Sequence, residues 1–356
     1  MIEHSMIQEM SDAFGPPGFE QDVTDVVRAH MKDFDVQEDY MHNLYIGHPG
    51  NQGNRLVVQL DAHLDEVGFM VQAIQANGTI SIVPMGGWVA SSVPSQPFLI
   101  KNKKGDLIRG IVVSKPPHFK TAQEKANEKV LLEDLTLDVG CTNRSEVVDG
   151  LGIAPGDPIA PEVRSEINTN TGTSFGKAFD NRLGCVAIME IMKRLKDEDL
   201  PVDLVAALAV QEEVGMRGAT VTAQTIQPDF ALIFEGSPAD DLYFDQNTRQ
   251  CALKAGAQIR HFDASYISHR GFIDFAQKQA DDKNIKTQHA VRRGGSTNAG
   301  KISLTGKAVP CLVLGIPSRF IHTHYNFASM EDLESVVNLA CSVLKNFNEE
   351  EIILGK

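Results

Sequence analysis

Glu212 and Glu213 close an apolar run, Leu204 to Val210, in the string Ala209-Val210-Gln211-Glu212-Glu213-Val214-Gly215. Two adjacent carboxylates at the end of a buried strand are costly unless a cation holds them. Three other apolar runs end in similar chemistry. His63 and Asp65 follow Leu56 to Leu60, Glu235 follows Phe230 to Phe234, and His322 and His324 follow Cys311 to Ile316. In open α/β sheets, sites assemble at the carboxyl ends of strands. The set therefore reads as a metallohydrolase centre built from imidazole and carboxylate without sulfur, a composition suited to zinc, cobalt or manganese.

Each motif carries its own expectation. Residues two apart in an extended segment project to the same side, so Asp65 is placed to accept a hydrogen bond from the His63 nitrogen that does not face a metal. In the Glu pair, one carboxylate can bind metal while its neighbour acts as general base toward a metal-bound water. Asp180 opens a helix at Phe179-Asp180-Asn181-Arg182, where a plain helix cap is the competing explanation. Glu235 precedes the turn-forming string Gly236-Ser237-Pro238-Ala239-Asp240-Asp241. His322-Thr323-His324 puts two imidazoles on one side of an extended segment, and either fits a ligand role.

These side chains need a scaffold, and the 356-residue chain with 42% hydrophobic residues can bury a sizeable core. A helix is predicted over 19–33. Short alternating segments at 79–83, 98–100 and 108–113, broken by Gly86-Gly87, Pro116-Pro117 and Gly156-Asp157-Pro158, predict a small β domain with at most one helix near 121–130. From Asp180 onward helices and strands alternate, with strands at 204–210, 230–234 and 310–316 and a last helix near 331–347. The expected fold is α/β, a mostly parallel sheet flanked by helices. A catalytic domain at 1–67 and 166–356 would be split by an inserted β domain at 68–165. The net charge of −14 argues against a nucleic-acid partner and an anionic membrane. Five scattered cysteines without a C-x-x-C pair, an N-terminus lacking a signal-peptide core and no bilayer-length apolar stretch predict a cytoplasmic protein.

Four ordered strings carry a resemblance: Asp61-Ala62-His63-Leu64-Asp65-Glu66-Val67-Gly68, Gly176-Lys177-Ala178-Phe179-Asp180-Asn181-Arg182, Gln211-Glu212-Glu213-Val214-Gly215 and Arg319-Phe320-Ile321-His322-Thr323-His324. With Gly86-Gly87-Trp88, Lys115-Pro116-Pro117-His118 and Pro155-Gly156-Asp157, the chain resembles the tetrahedral (TET) metallo-aminopeptidases from about residue 5 to its end. That family includes glutamyl aminopeptidases and proteins once labelled cellulase M. The resemblance implies His63, Asp180 and Glu235 on one metal and Asp180, Glu213 and His322 on the other. Asp180 would bridge the two ions, Glu212 would be the base, and His322 rather than His324 would be the ligand. It also implies a PDZ-like dimerisation domain at 68–165, assembly into twelve-subunit tetrahedral particles and removal of the amino-terminal residue from short peptides through a metal-bridged hydroxide. The chain departs from the family pattern at Glu235, where many members carry Asp, at Ser296-Thr297-Asn298-Ala299 in place of the usual Gly-Thr-Asp-Ala, and at Ala257, where Pro is frequent.

Other activities use the same groups. Deblocking of N-acyl amino acids or peptides needs only a different pocket. Glycan hydrolysis is disfavoured because its usual chemistry needs paired carboxylates about a sugar. A catalytically silent assembly protein need not keep both base and ligands. The amino-terminal preference stays open: an acidic preference needs a cation, with Arg249, Lys254, Arg292 and Arg293 near the suspected pocket segments, and a hydrophobic preference is equally compatible.

Overall fold

The computed structural model describes residues 2–126 and 129–354. Its centre is an 11-stranded sheet. Four neighbouring strands, in the order Asp203–Ala209, Val57–His63, Phe230–Pro238 and Cys311–Arg319, pair in parallel. Antiparallel strands flank them, Leu44–Gly47 at one side and Asn326–Ser329 at the other. Ala257–Phe262 also pairs antiparallel with Cys311–Arg319 and parallel with Thr287–Val291. The sheet is thus parallel where the site residues emerge and mixed outside.

Strand alternation explains how both faces are covered. Leu232 and Phe234 join Val58, Leu60, Leu312 and Leu314 in a core shared with the helices His4–Asp12, Phe179–Leu195 and Met330–Lys345. Ala231 and Ile233 point the other way and pack with Ala219, Ala223, Ala299 and Val313, under helix Arg217–Ile226. The expected helices at 19–33 and 331–347 are Gln21–His30 and Met330–Lys345.

Gly68–Ile74, Ile80–Met85, Pro97–Lys101, Leu107–Val112, Thr136–Asp138 and Pro158–Pro161 close into an antiparallel barrel. It has its own apolar core, centred on Phe69, Trp88, Phe98 and Ile100. The helix expected near 121–130 is Ala122–Ala126; residues 127 and 128 of that expectation lie outside the described residues. Among the described residues no helix is long and apolar enough to cross a membrane. Cys185, Cys251 and Cys311 are buried free thiols, and Cys141 and Cys341 are also unbridged.

A buried ionic cluster locks the elements that carry the site. Glu66 Oε1 accepts from the Gly15 amide at 3.2 Å and from the side chains of Lys177 and Arg182. Arg182, fully buried, also donates to the carbonyls of Met10, Ala13 and Gly15. Lys177 and Arg182 bracket Asp180, so the cluster fastens that turn to the N-terminal segment and to the loop after His63. Removing one partner of a buried pair leaves an uncompensated charge. Arg182→Met should therefore destabilise the fold by about 3–5 kcal/mol, read as a lowered urea midpoint; an unchanged midpoint would show that the cluster does not hold this region.

Candidate metal centre

Parallel pairing brings the carboxyl ends of four strands to one edge. His63 is the last residue of Val57–His63. Glu212 and Glu213 follow Asp203–Ala209 through a turn that places Gln211 at φ +56°. Glu235 lies within Phe230–Pro238, so the strand runs on through the string read as a turn. His322 follows Cys311–Arg319 at φ +59°, in a turn and not the extended segment expected.

Asp180 sits among them. Its Oδ1 lies 3.1 Å from His63 Nε2 and its Oδ2 lies 3.3 Å from His322 Nε2. His63 Nε2 is also 3.6 Å from Glu235 Oε1 and 3.9 Å from Glu212 Oε2. His322 Nε2 is 3.5 Å from Glu213 Oε1. Ligand atoms of His63, Asp180 and Glu213 all fall within 4.8 Å of one another. Asp180 stands at a break in the helix Phe179–Leu195 (φ −86°, ψ 101°), and its carboxylate is turned to the two histidines. Its peptide bond to Asn181 is cis, and Asn181 Nδ2 donates to the Phe234 carbonyl at 2.8 Å. Gly236 makes the approach possible: a Cβ there would stand 2.6 Å from Asp180 Cα.

Asp65 does more than the sequence suggests. Its Oδ1 is 3.4 Å from His63 Nδ1, which lies closer, at 3.2 Å, to the Asp65 carbonyl. The carboxylate instead accepts the amides of Glu212 and Glu213 at 2.9 and 3.0 Å. Asp65 therefore shapes the turn presenting the Glu pair and orients the imidazole largely through its main chain. His324 turns away from the site: its Nε2 donates to the Pro97 carbonyl at 2.8 Å, and its ring meets Phe98 edge-on at 4.4 Å. Burial pushes His324 down to about 4, so it is neutral. The barrel reaches the site through Gly87, whose carbonyl accepts from His322 Nδ1 and orients the ring. Trp88 holds that segment, donating to the Gly68 carbonyl at 2.9 Å and stacking on Phe69.

Four carboxylates meet here with two imidazoles, and among the described residues no Lys or Arg pairs with any of the four. Burial pushes Glu212 up to about 8, with Glu213, Asp65 and Asp180 adding repulsion against the pull of His63. Burial likewise lifts Glu213 to about 8 and Glu235 well above the carboxylate range. Burial would also raise Asp180, but hydrogen bonds from His322 and His63 more than reverse it. Burial opposes charge on the histidines, yet His63 is held well above its ordinary value by Asp180, Asp65 and Glu235. His322 reaches about 10 beside Glu213 and Asp180. Without a metal, the cluster is balanced by protons; divalent cations would replace them. Among the described residues the buried Glu235 Oε2 has no hydrogen-bond partner. An oxygen- and imidazole-rich donor set with an unsatisfied carboxylate fits divalent metal.

The centre opens into a cleft of about 480 Å³ that also reaches Arg260, Arg292 and the Gly294-Gly295-Ser296 loop. Of the cations singled out in the sequence, only Arg292 lines it. Lys254 Nζ is engaged by the Thr171 carbonyl at 2.6 Å. Arg260 lines the cleft as well, although a lone Arg in the strand Ala257–Phe262 carries no local signal in the sequence.

A family model described as M42 glutamyl aminopeptidase matches residues 43–339. The glutamyl aminopeptidase of Lactococcus lactis is 32% identical over 348 residues, covering 97% of each chain. The lysyl aminopeptidase of Pyrococcus furiosus is 25% identical over 97% of each chain. A TET aminopeptidase structure from a marine sediment thaumarchaeon superposes with a TM-score of 0.92 at 31% identity, covering 98% of both chains. The chain belongs to the M42 glutamyl aminopeptidase family and is a peptide hydrolase.

Proposed function

We propose that this protein is a two-metal aminopeptidase that removes the amino-terminal residue from short peptides. The observation that carries the reading is Asp180, whose two oxygens face different histidines within a cluster of buried carboxylates. His63, Asp180 and Glu235 would hold one divalent ion, and Asp180, Glu213 and His322 the other, with zinc or cobalt preferred over manganese. When bound, the pair would supply Lewis acidity, which acidifies water and polarises a carbonyl.

The chain's own groups divide the remaining work. Glu212 removes a proton from the water that attacks the scissile carbonyl carbon. As the C–N bond breaks, the same carboxyl returns the proton to the departing amine. Asp65 holds Glu212 in place through its amide and steadies His63. Deblocking of an acylated end would require the same base, and the aminopeptidase-named relatives favour a free amine.

The segment 68–165 reads as an inserted, PDZ-like dimerisation domain. In support, Leu107 and Ile111 are each half exposed along the outer face of one barrel strand, Val113 just beyond it is 42% exposed, and Phe119 is 72% exposed. These exposed apolar side chains, with Arg109 between Leu107 and Ile111 paired to Glu162, suit a second copy of the chain. Dimers joined there would build further, into the twelve-subunit particle the TET resemblance implies.

Glu212→Gln keeps the side chain's size but cannot take the proton. It should leave metal content near wild type and lower kcat by about two to four orders of magnitude. Glu213→Gln should weaken one metal and lose activity that added zinc or cobalt partly restores. If Glu212→Gln loses a metal while Glu213→Gln keeps both, the two roles are reversed. For assembly, Ile111→Lys places a charge among these apolar side chains and should shift the particle toward smaller species in light scattering. An unaltered particle would exclude that face as an interface.

A further inference from the structure

Four consecutive amides follow the strand Asp203–Ala209, and each donates to a side-chain oxygen from a distant part of the chain. Val210 donates to Asn43 Oδ1 at 3.0 Å and Gln211 to Glu20 Oε1 at 3.1 Å. Glu212 and Glu213 donate to the two oxygens of Asp65. The carbonyl side of the turn is closed as well. Gln211 O accepts the Arg217 amide at 3.2 Å, and Glu212 O accepts those of Gly215 and Met216, both at 2.8 Å. Asp65 already has a task at this turn, whereas Glu20 has none.

Glu20 is 3% exposed. It stands at the N-cap of the helix Gln21–His30, yet its side chain makes no capping bond to that helix. Its Oε1 turns back to the Gly18 amide at 2.8 Å and across to Gln211. Burial pushes its carboxyl up to about 7, and the charge of Asp65 adds to the effect. A buried carboxyl beside another carboxylate costs stability. Charged or protonated, it still offers the same two amides an acceptor. The position therefore supplies an oxygen at a fixed point and has no need of the charge.

The Gln211 amide needs that oxygen. Gln211 sits at φ +56°, in a left-handed backbone that a residue with a Cβ adopts only where its surroundings hold it. The turn carries Glu212 toward His63 and Glu213 toward His322. Without Glu20 Oε1 the Gln211 amide loses its partner, and the residue can relax toward ordinary backbone angles. The peptide unit joining Gln211 to Glu212 turns with it, drawing the Glu212 amide away from Asp65. Neither Glu20 nor Gln211 lines the cleft, so the effect reaches the site through the backbone alone.

We infer that Glu20 is a positioning residue for the reaction, anchoring through the Gln211 amide the left-handed turn that aims the Glu212 carboxylate. The inference rests on Glu212 being the base, as read above. Asp65 fixes the two amides that follow, so two carboxyls from separate loops hold one turn between them.

The test compares Glu20→Gln and Glu20→Met with the wild type, each loaded with zinc or cobalt and checked for native circular dichroism. Gln keeps a carbonyl oxygen in reach of Gln211, and Met fills the space without one. Kinetics use whichever of glutamyl-, leucyl- and lysyl-p-nitroanilide the wild type cleaves fastest. In Glu20→Met kcat should fall by about ten- to a hundredfold, the scale of a small misplacement of a catalytic group, with KM and metal content unchanged. Glu20→Gln should keep kcat near the wild-type value. Hydrogen–deuterium exchange of the peptide covering 204–216 needs no turnover, and should be faster in Glu20→Met and unchanged in Glu20→Gln. Should Glu20→Met fail to fold, Glu20→Asp, which keeps the charge and shortens the reach, takes its place with the same expectation. An unaltered kcat in Glu20→Met overturns the inference, as does an equal loss in Glu20→Gln or a loss that only follows metal content. If no anilide is cleaved, or Glu212→Gln turns over like the wild type, the reading above fails and the exchange alone decides the anchor. Faster exchange confined to Glu20→Met then upholds it, and equal exchange in all three proteins overturns it.

Discussion

Asp180, Glu212, Glu213 and Glu235 are buried or nearly so within reach of one another, and among the described residues the cations paired with them are two imidazoles. An ionised carboxylate in such surroundings carries a penalty of several kcal/mol unless it is paired. Protons meet that demand by neutralising some of the carboxylates and charging the histidines. That is a poor state for ligands and worse for a base. Divalent cations answer the same demand while keeping the carboxylates ionised. Much of the surrounding architecture follows from presenting these six groups to one small volume.

The parallel strands do this by ending together, and each delivery needs local help. Asp65 ties down the two amides of the Glu pair. Gly236 lets the backbone of Asp180 lie against the neighbouring strand. The Glu66, Lys177 and Arg182 cluster fixes the loop after His63 to the turn around Asp180. Gly87 brings the barrel into the site, because its carbonyl orients His322. The barrel thus has a second task beside any contact it makes with another copy, and a distorted barrel would be felt at the metal centre.

Much of this was legible in the sequence. Apolar runs ending in His, Asp and Glu are a signal that survives without coordinates, because buried strands need hydrophobic residues and their ends need a reason to be charged. All seven residues singled out as ligands, base or orienter lie together. The β texture between residues 68 and 165 corresponds to a barrel with its own core. Local geometry was less visible. The strand through Glu235 continues to Pro238 despite Gly236 and Pro238, since its parallel pairing with Cys311–Arg319 outweighs turn propensity. His322 and His324 diverge because the left-handed turn at His322 breaks the two-residue repeat assumed for them. Asp65 caps a turn nearly 150 residues away, and Arg260 meets the cleft only through sheet pairing. Nothing in a short window reports either contact.

The central claim is that two cations share Asp180, and counting them tests it most directly. Isothermal titration of the metal-stripped protein with zinc or cobalt, confirmed by elemental analysis, should give two equivalents per chain. Asp180→Ala should weaken both, whereas His63→Ala should empty one and leave the other near wild type. A single equivalent in the wild type with full activity would contradict the account. So would an Asp180→Ala variant that still binds two.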